Sequence, residues 1–217
     1  MQVVTERIFK LAPPGGLFDE AVVGNLFPDA TQGSRRALVH RAVKQREILR
    51  LKPGLYCLAQ DYRKTHLHPF IVASALHSPS HISLESALSF HQLIPEAIYR
   101  VSSVTVQRSR SFANPPGVFT FYRVPSDHPR AGVRAEKLGN NAWAFIASPL
   151  RAIADLIYLR KEISWSRDGR RFLTDSMRID EEELLGLPVD DFSDIHGSIR
   201  NRRTQHYLRG LVKEIRH

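Results

Sequence analysis

The sequence predicts an α+β protein, and three observations carry that prediction. Apolar residues recur at helical spacing near both ends of the 217-residue chain. Runs rich in β-branched and aromatic residues, such as Val118-Phe119-Thr120-Phe121-Tyr122, lie in its middle. Pro and Gly clusters punctuate the segments between them.

From the N-terminus, a first helix is expected over Val3 to Leu11, closed by Pro13-Pro14-Gly15-Gly16. A second is expected from Leu17 to Leu26, stopped by Pro28. Thr31 is a suitable N-cap for a third helix running to Arg46. Ile48 to Lys52 and Leu55 to Ala59 then flank Pro53-Gly54 and form a hairpin. Three helices followed by a hairpin is the order of a winged helix-turn-helix, expected as a domain over residues 1–62.

Residues 66–217 form the second expected domain, with a small mixed or antiparallel sheet and C-terminal helices. Helices are predicted near 69–77 and 83–93, the latter capped by Ser83, and strands at Ala97 to Val106, Val118 to Val124 and Ala142 to Ala147. A helix starts at Pro149 and runs to Lys161, with Leu150, Ile153, Ala154, Ile157 and Tyr158 on one face. Asp180 to Glu183 has the form of a capping box. A last helix, Thr204 to Ile215, carries an apolar stripe of Tyr207, Leu208, Leu211, Val212 and Ile215. Arg200, Arg202, Arg203, Arg209, Lys213 and Arg216 make its surroundings basic.

A chain of this length buries about 70% of its unfolded surface, enough to fold without staples. The one cysteine, Cys57, excludes an internal disulfide framework and a Cys-rich zinc site, and a reducing compartment suits it. No stretch reaches the ~20 apolar residues of a membrane span. The first residues lack the apolar core of a signal peptide, so a cytoplasmic protein is expected. The net charge of +9 favours a polyanionic partner.

That charge concentrates on the third helix and hairpin. Between Thr31 and Lys52 lie Arg35, Arg36, Arg41, Lys44, Arg46, Arg50 and Lys52, against one acid, Glu47. At about 100° per residue, Leu38, Val39, Ala42 and Val43 centre on one helix face. Gly33, Arg36, Ala37, His40 and Lys44 lie opposite, with Arg36, His40 and Lys44 in one stripe. A recognition helix needs this division: one face packs and the other enters the major groove. Gln32, Ser34 and Arg36 are the candidates for base contacts, since Gln suits adenine and Arg suits guanine. Lys44, Arg50 and Lys52 are the candidates for phosphates. Arg35, turned towards the apolar face, and Arg41 complete the DNA-binding set. A solvated basic face, or a helix used for protein contacts, is the plainer reading of the same residues.

Further residues carry a resemblance. Lys52-Pro53-Gly54-Leu55-Tyr56 is followed by His81-Ile82-Ser83-Leu84-Glu85-Ser86-Ala87-Leu88-Ser89-Phe90-His91-Gln92-Leu93-Ile94-Pro95-Glu96. Val104-Thr105, Gly117-Val118-Phe119 and Ile146 to Leu156 come later. This series resembles the AbiEi-type antitoxin family, regulators of bacterial abortive-infection systems, over about residues 45–160 and more loosely in the N-terminal unit. Pro149-Leu150-Arg151-Ala152 departs from the family's Pro-Glu-Lys-Ala, and the C-terminal third has no clear counterpart. The resemblance implies a repressor that binds inverted repeats in its own promoter; the sequence leaves a monomer and a homodimer equally open. It also implies an antitoxin countering a nucleotidyltransferase toxin. Read from the residues alone, Leu84, Ala87, Leu88 and Leu93 have core spacing, and Glu85, Glu96 and Asp155 are structural, as charges on helix surfaces or partners for backbone donors.

No enzyme or cofactor is expected. There is no P-loop and no G-x-G-x-x-G after a strand. Gly33-Ser34 lacks the carboxylate pair that a nucleotidyltransferase needs for magnesium. His66, His68, His77 and His81 match no zinc spacing. Ser86, His91 and Asp155 assemble into a triad on paper without a nucleophile elbow. The acids of 180–194 suit helix starts. A nucleic-acid-cleaving enzyme with a winged-helix targeting domain, and a winged helix that binds protein or RNA, are the competing readings.

Overall fold

The computed structural model describes residues 1–64, 66–95, 100–139 and 142–216. The chain is α+β, with a three-stranded sheet and a mixed six-stranded sheet among these residues.

Helix α1 (Val3–Leu11) buries Val4 and Ile8 and ends where Ala12 turns left-handed. The next segment departs from expectation: Leu17–Asp19 is a strand, β1, and the second helix, α2, spans only Glu20–Leu26. Asp19 explains the late start, because its carboxylate accepts the Val22 N–H as an N-cap and an N-cap residue is extended. Helix α3 (Gln32–Lys44) begins as expected at Thr31, whose hydroxyl accepts the Ser34 N–H. Strands β2 (Ile48–Lys52) and β3 (Leu55–Leu58) form the hairpin, and Gly54 supplies the positive φ of its turn. The three strands are antiparallel in the order β1-β3-β2. Val4, Ile8, Phe18, Val23, Val39, Ala42, Ile48 and Leu58 form the core of this unit.

The second unit runs α4 (Pro69–Leu76), β4 (His81–Ile82), α5 (Leu84–Phe90), β5 (Arg100–Thr105), β6 (Arg110–Asn114) and β7 (Gly117–Arg123). It continues with β8 (Val133–Lys137), β9 (Trp143–Ala147), α6 (Pro149–Leu159) and α7 (Trp165–Asp168). Helices α8 (Glu181–Leu185), α9 (Phe192–Ser198) and α10 (Arg202–Ile215) complete it. Its sheet has the order β6-β7-β5-β4-β9-β8, with β5–β7 and β4–β9 parallel and the other pairs antiparallel. The expected strand from Ala97 falls partly outside the described residues. Ser83 precedes α5 but makes no capping bond; its hydroxyl goes to Asp155 instead. Asp180 caps α8, accepting from Glu182 and Glu183. Gly210 lets the Trp165 indole lie on α10, where an added Cβ would sit 2.2 Å from the ring.

The hairpin serves both cores by alternation. Ile48 and Leu58 point into the N-terminal core, while Leu51, Leu55 and Cys57 point into the larger one. Asn114 on β6 adds a hydrogen bond to the Leu51 carbonyl at 3.2 Å. The strand pair is thereby shared, and its other face carries Arg50 opposite Tyr56.

Candidate nucleic-acid interface

Helix α3 turns Val39 and Ala42 inward and leaves Gln32, Ser34, Arg36, His40, Arg41 and Lys44 exposed. Between α2, α3 and the hairpin lies a groove of about 690 Å³. Gln32, Arg35, Arg36 and His40 line it from α3, and Arg50 faces them from β2. Its floor is apolar, built from Val23, Val39, Val43 and Tyr56, and the Tyr56 ring is stacked on Phe18 at 5.8 Å. Five of the nine expected DNA-binding residues therefore meet around one concavity. Ser34, Arg41 and Lys44 lie elsewhere on the exposed surface of α3, and the Ser34 hydroxyl lies 2.9 Å from that of Thr31.

Lys52 is a correction. Its ammonium donates to the carbonyls of Ala75 and Leu76, at 2.7 and 2.8 Å, and so caps the end of α4. Burial holds its pKa below the ordinary lysine value, with the nearby Arg110 charge adding to this. Lys52 ties the hairpin to the second unit and is not directed at the groove. Arg35 is half-buried: an added Cβ on Gly24 would meet its Nη1 at 2.7 Å, so the bare face of α2 makes room for it.

Two acids change the charge of this face in opposite directions. Glu47, the one acid among the basic run, is 3% exposed. Burial pushes its pKa up, but bonds from the Thr5 hydroxyl (2.6 Å) and the Gln2 N–H (2.7 Å) outweigh this, and it stays below the ordinary glutamate value. Its carboxylate is turned into the fold and does not line the groove. Glu20, which sequence reasoning passed over, lines the groove and lies 3.4 Å from Arg36. As the residue after the Asp19 cap it reads as an ordinary first-turn acid; only the packing of α2 on α3 brings it to Arg36.

A second polar cluster lies in the larger core. Arg151 and Asp155, one turn apart on α6, are both fully buried and joined at 3.0 Å. The other carboxylate oxygen of Asp155 accepts from Ser83 Oγ at 2.7 Å and lies 3.2 Å from His81 Nε2. Burial would raise Asp155, but Arg151 and these donors hold its pKa below the ordinary value. Burial also holds His81 down, against the pull of Asp155.

These partners separate the paper triad. Ser86 bonds the backbone of Arg100 and Ser102, His91 faces the Ala147 carbonyl, and Asp155 is held by Arg151. Among the described residues no three His, Cys, Asp or Glu side chains are placed to hold a metal ion. No helix there is long and apolar enough to cross a membrane. Neither a family model nor a curated protein matches the chain.

Proposed function

We propose that the protein is a sequence-specific DNA-binding repressor whose N-terminal unit is a winged helix-turn-helix. The order helix, strand, helix, helix, strand, strand, with the first strand added beside the hairpin, supports that assignment. The observation that carries the reading is the cationic groove, in which the outward face of α3 and the hairpin present Gln32, Arg36, His40 and Arg50 together. Gln32 and Arg36, near the helix N-terminus, are the base readers, and Arg50 contacts phosphate. Arg41 and Lys44 extend the positive surface along the helix.

The resemblance of residues 45–160 to AbiEi-type antitoxins supplies the biological setting: an autoregulating antitoxin in the cytoplasm, opposing a nucleotidyltransferase toxin. The test pairs two assays. The protein should silence a reporter driven by its own upstream DNA, and its expression should restore growth of cells making a neighbouring nucleotidyltransferase. Repression without rescue would leave a DNA-binding regulator and remove the antitoxin; neither effect would end the proposal.

A further inference from the structure

The basic stripe on α10 plays no part in the reading above. Arg202, His206, Arg209, Lys213 and Arg216 are exposed and recur at spacings of four, three, four and three residues, which keeps them on one face. At a rise of ~1.5 Å per residue the line is about 21 Å long. The opposite face is anchored by Thr204, Tyr207, Leu208, Leu211 and Val212, all buried, so the stripe is held outward.

Glu214 and the other arginines of this region have partners. Glu214 lies 3.3 Å from Arg170, and Arg200 makes two 2.7 Å bonds to Asp127. Arg203 caps the end of α6, donating to the Ile157 carbonyl at 2.7 Å and to the Arg160 carbonyl at 3.1 Å. Among the described residues, no carboxylate pairs with Arg202, Arg209 or Lys213.

We infer that α10 is a second contact for duplex DNA, which it holds by the phosphate backbone through charge alone. A rigid row of cations complements the dense, regularly spaced phosphates of a duplex. The face carries no exposed large apolar side chain; those lie at Met1, Val3, Leu11, Val118, Trp143 and Phe145. It therefore lacks the aromatic or apolar anchor around which a protein interface is built. Gln205, the one amide of the helix, is turned in, donating to the carbonyls of His196 and Ile199. Such a contact adds affinity and salt dependence without choosing a sequence. The inference stands apart from the role given to α3.

The test uses the full chain carrying Arg209→Ala with Lys213→Ala, both exposed positions, whose melting temperature should match the wild type. Binding to promoter DNA and to scrambled duplex is measured across a range of salt. The log–log salt slope should fall by about 1.8 on both duplexes, at ~0.9 per lost contact, and affinity should drop roughly tenfold or more at ~0.1 M salt. The ratio of promoter to scrambled affinity should not change. Arg209→Lys with Lys213→Arg should restore the slope, because charge rather than shape is the requirement. An unchanged slope on both duplexes, or a loss confined to the promoter, would overturn the inference. If the wild type binds both duplexes equally, the role of α3 fails, while the slope on scrambled DNA still decides the role of α10.

Discussion

Burying a guanidinium costs several kcal/mol unless its charge and its donors are matched, and Arg151 is fully buried. Asp155 meets its charge and its Nε donor at 3.0 Å, while Nη1 donates to the Ala131 carbonyl at 2.8 Å and Nη2 has no partner among the described residues. Asp155→Ala should therefore destabilise the protein by about 3–5 kcal/mol in chemical denaturation. The same cluster sets a pH dependence. The folded-state pKa of His81 is held below the ordinary 6.5. Over the interval between the two values the unfolded chain binds more protons. The stability this adds is therefore complete above 6.5 and is lost as pH falls through the ordinary histidine range. Asp155, also held low, adds stability above its ordinary 3.8 that is lost on further acidification. His68, His77 and His196 shift in the same direction as His81. The difference between wild type and His81→Gln isolates one group: urea midpoints of the variant should decline less between about pH 7 and 5. At the groove, Glu20→Gln should tighten duplex binding several-fold, since it frees Arg36 and removes a carboxylate from the face. An exposed pair of this kind contributes only about 0–1 kcal/mol, so the variant should stay folded. The sequence reading gives Asp155 a structural role, as a charge on a helix surface or a partner for backbone donors; it is instead fully buried and bonded to side chains, because Ser83 and His81, some seventy residues away, meet it.

Elements with strong local signals were legible, and those defined by their neighbours were not. The Thr31 cap and the two-faced pattern of α3 mark that helix in the sequence, as Pro149 marks α6. Strand β1 was read as helix because three residues carry no period, and its pairing to β3 is a tertiary event. Strands β6 and β8 are edges with largely exposed or half-exposed residues, so they lack the apolar alternation of buried strands; β4 is two residues long. The hairpin shows the limit most clearly. Lys52, in a basic run beside a turn, has the sequence signature of a phosphate contact, yet its ammonium caps α4. Lys52→Ala should therefore lower unfolding stability by about 1–3 kcal/mol and leave the salt slope of DNA binding unchanged. A reduced slope with unaltered stability would return Lys52 to the proposed DNA contacts.

At the scale of the molecule, two apolar cores share one hairpin, which places a cationic groove on one side of β2–β3 and the larger core on the other. The +9 charge and its concentration between Thr31 and Lys52 were readable from the sequence. Three features of the site were not: the internal disposal of Glu47, the arrival of Glu20, and the separation of Arg41 and Lys44 from the groove. Each depends on which helix faces which, and helical periodicity fixes only the buried side of each helix. The measurement closest to the central claim is a salt-dependent titration of promoter and scrambled duplexes by the wild type and by Arg36→Ala with Arg50→Ala. The account predicts that the wild type prefers its promoter by ~10³ or more, and that the double variant loses most of this preference. Equal affinity of the wild type for both duplexes would contradict it.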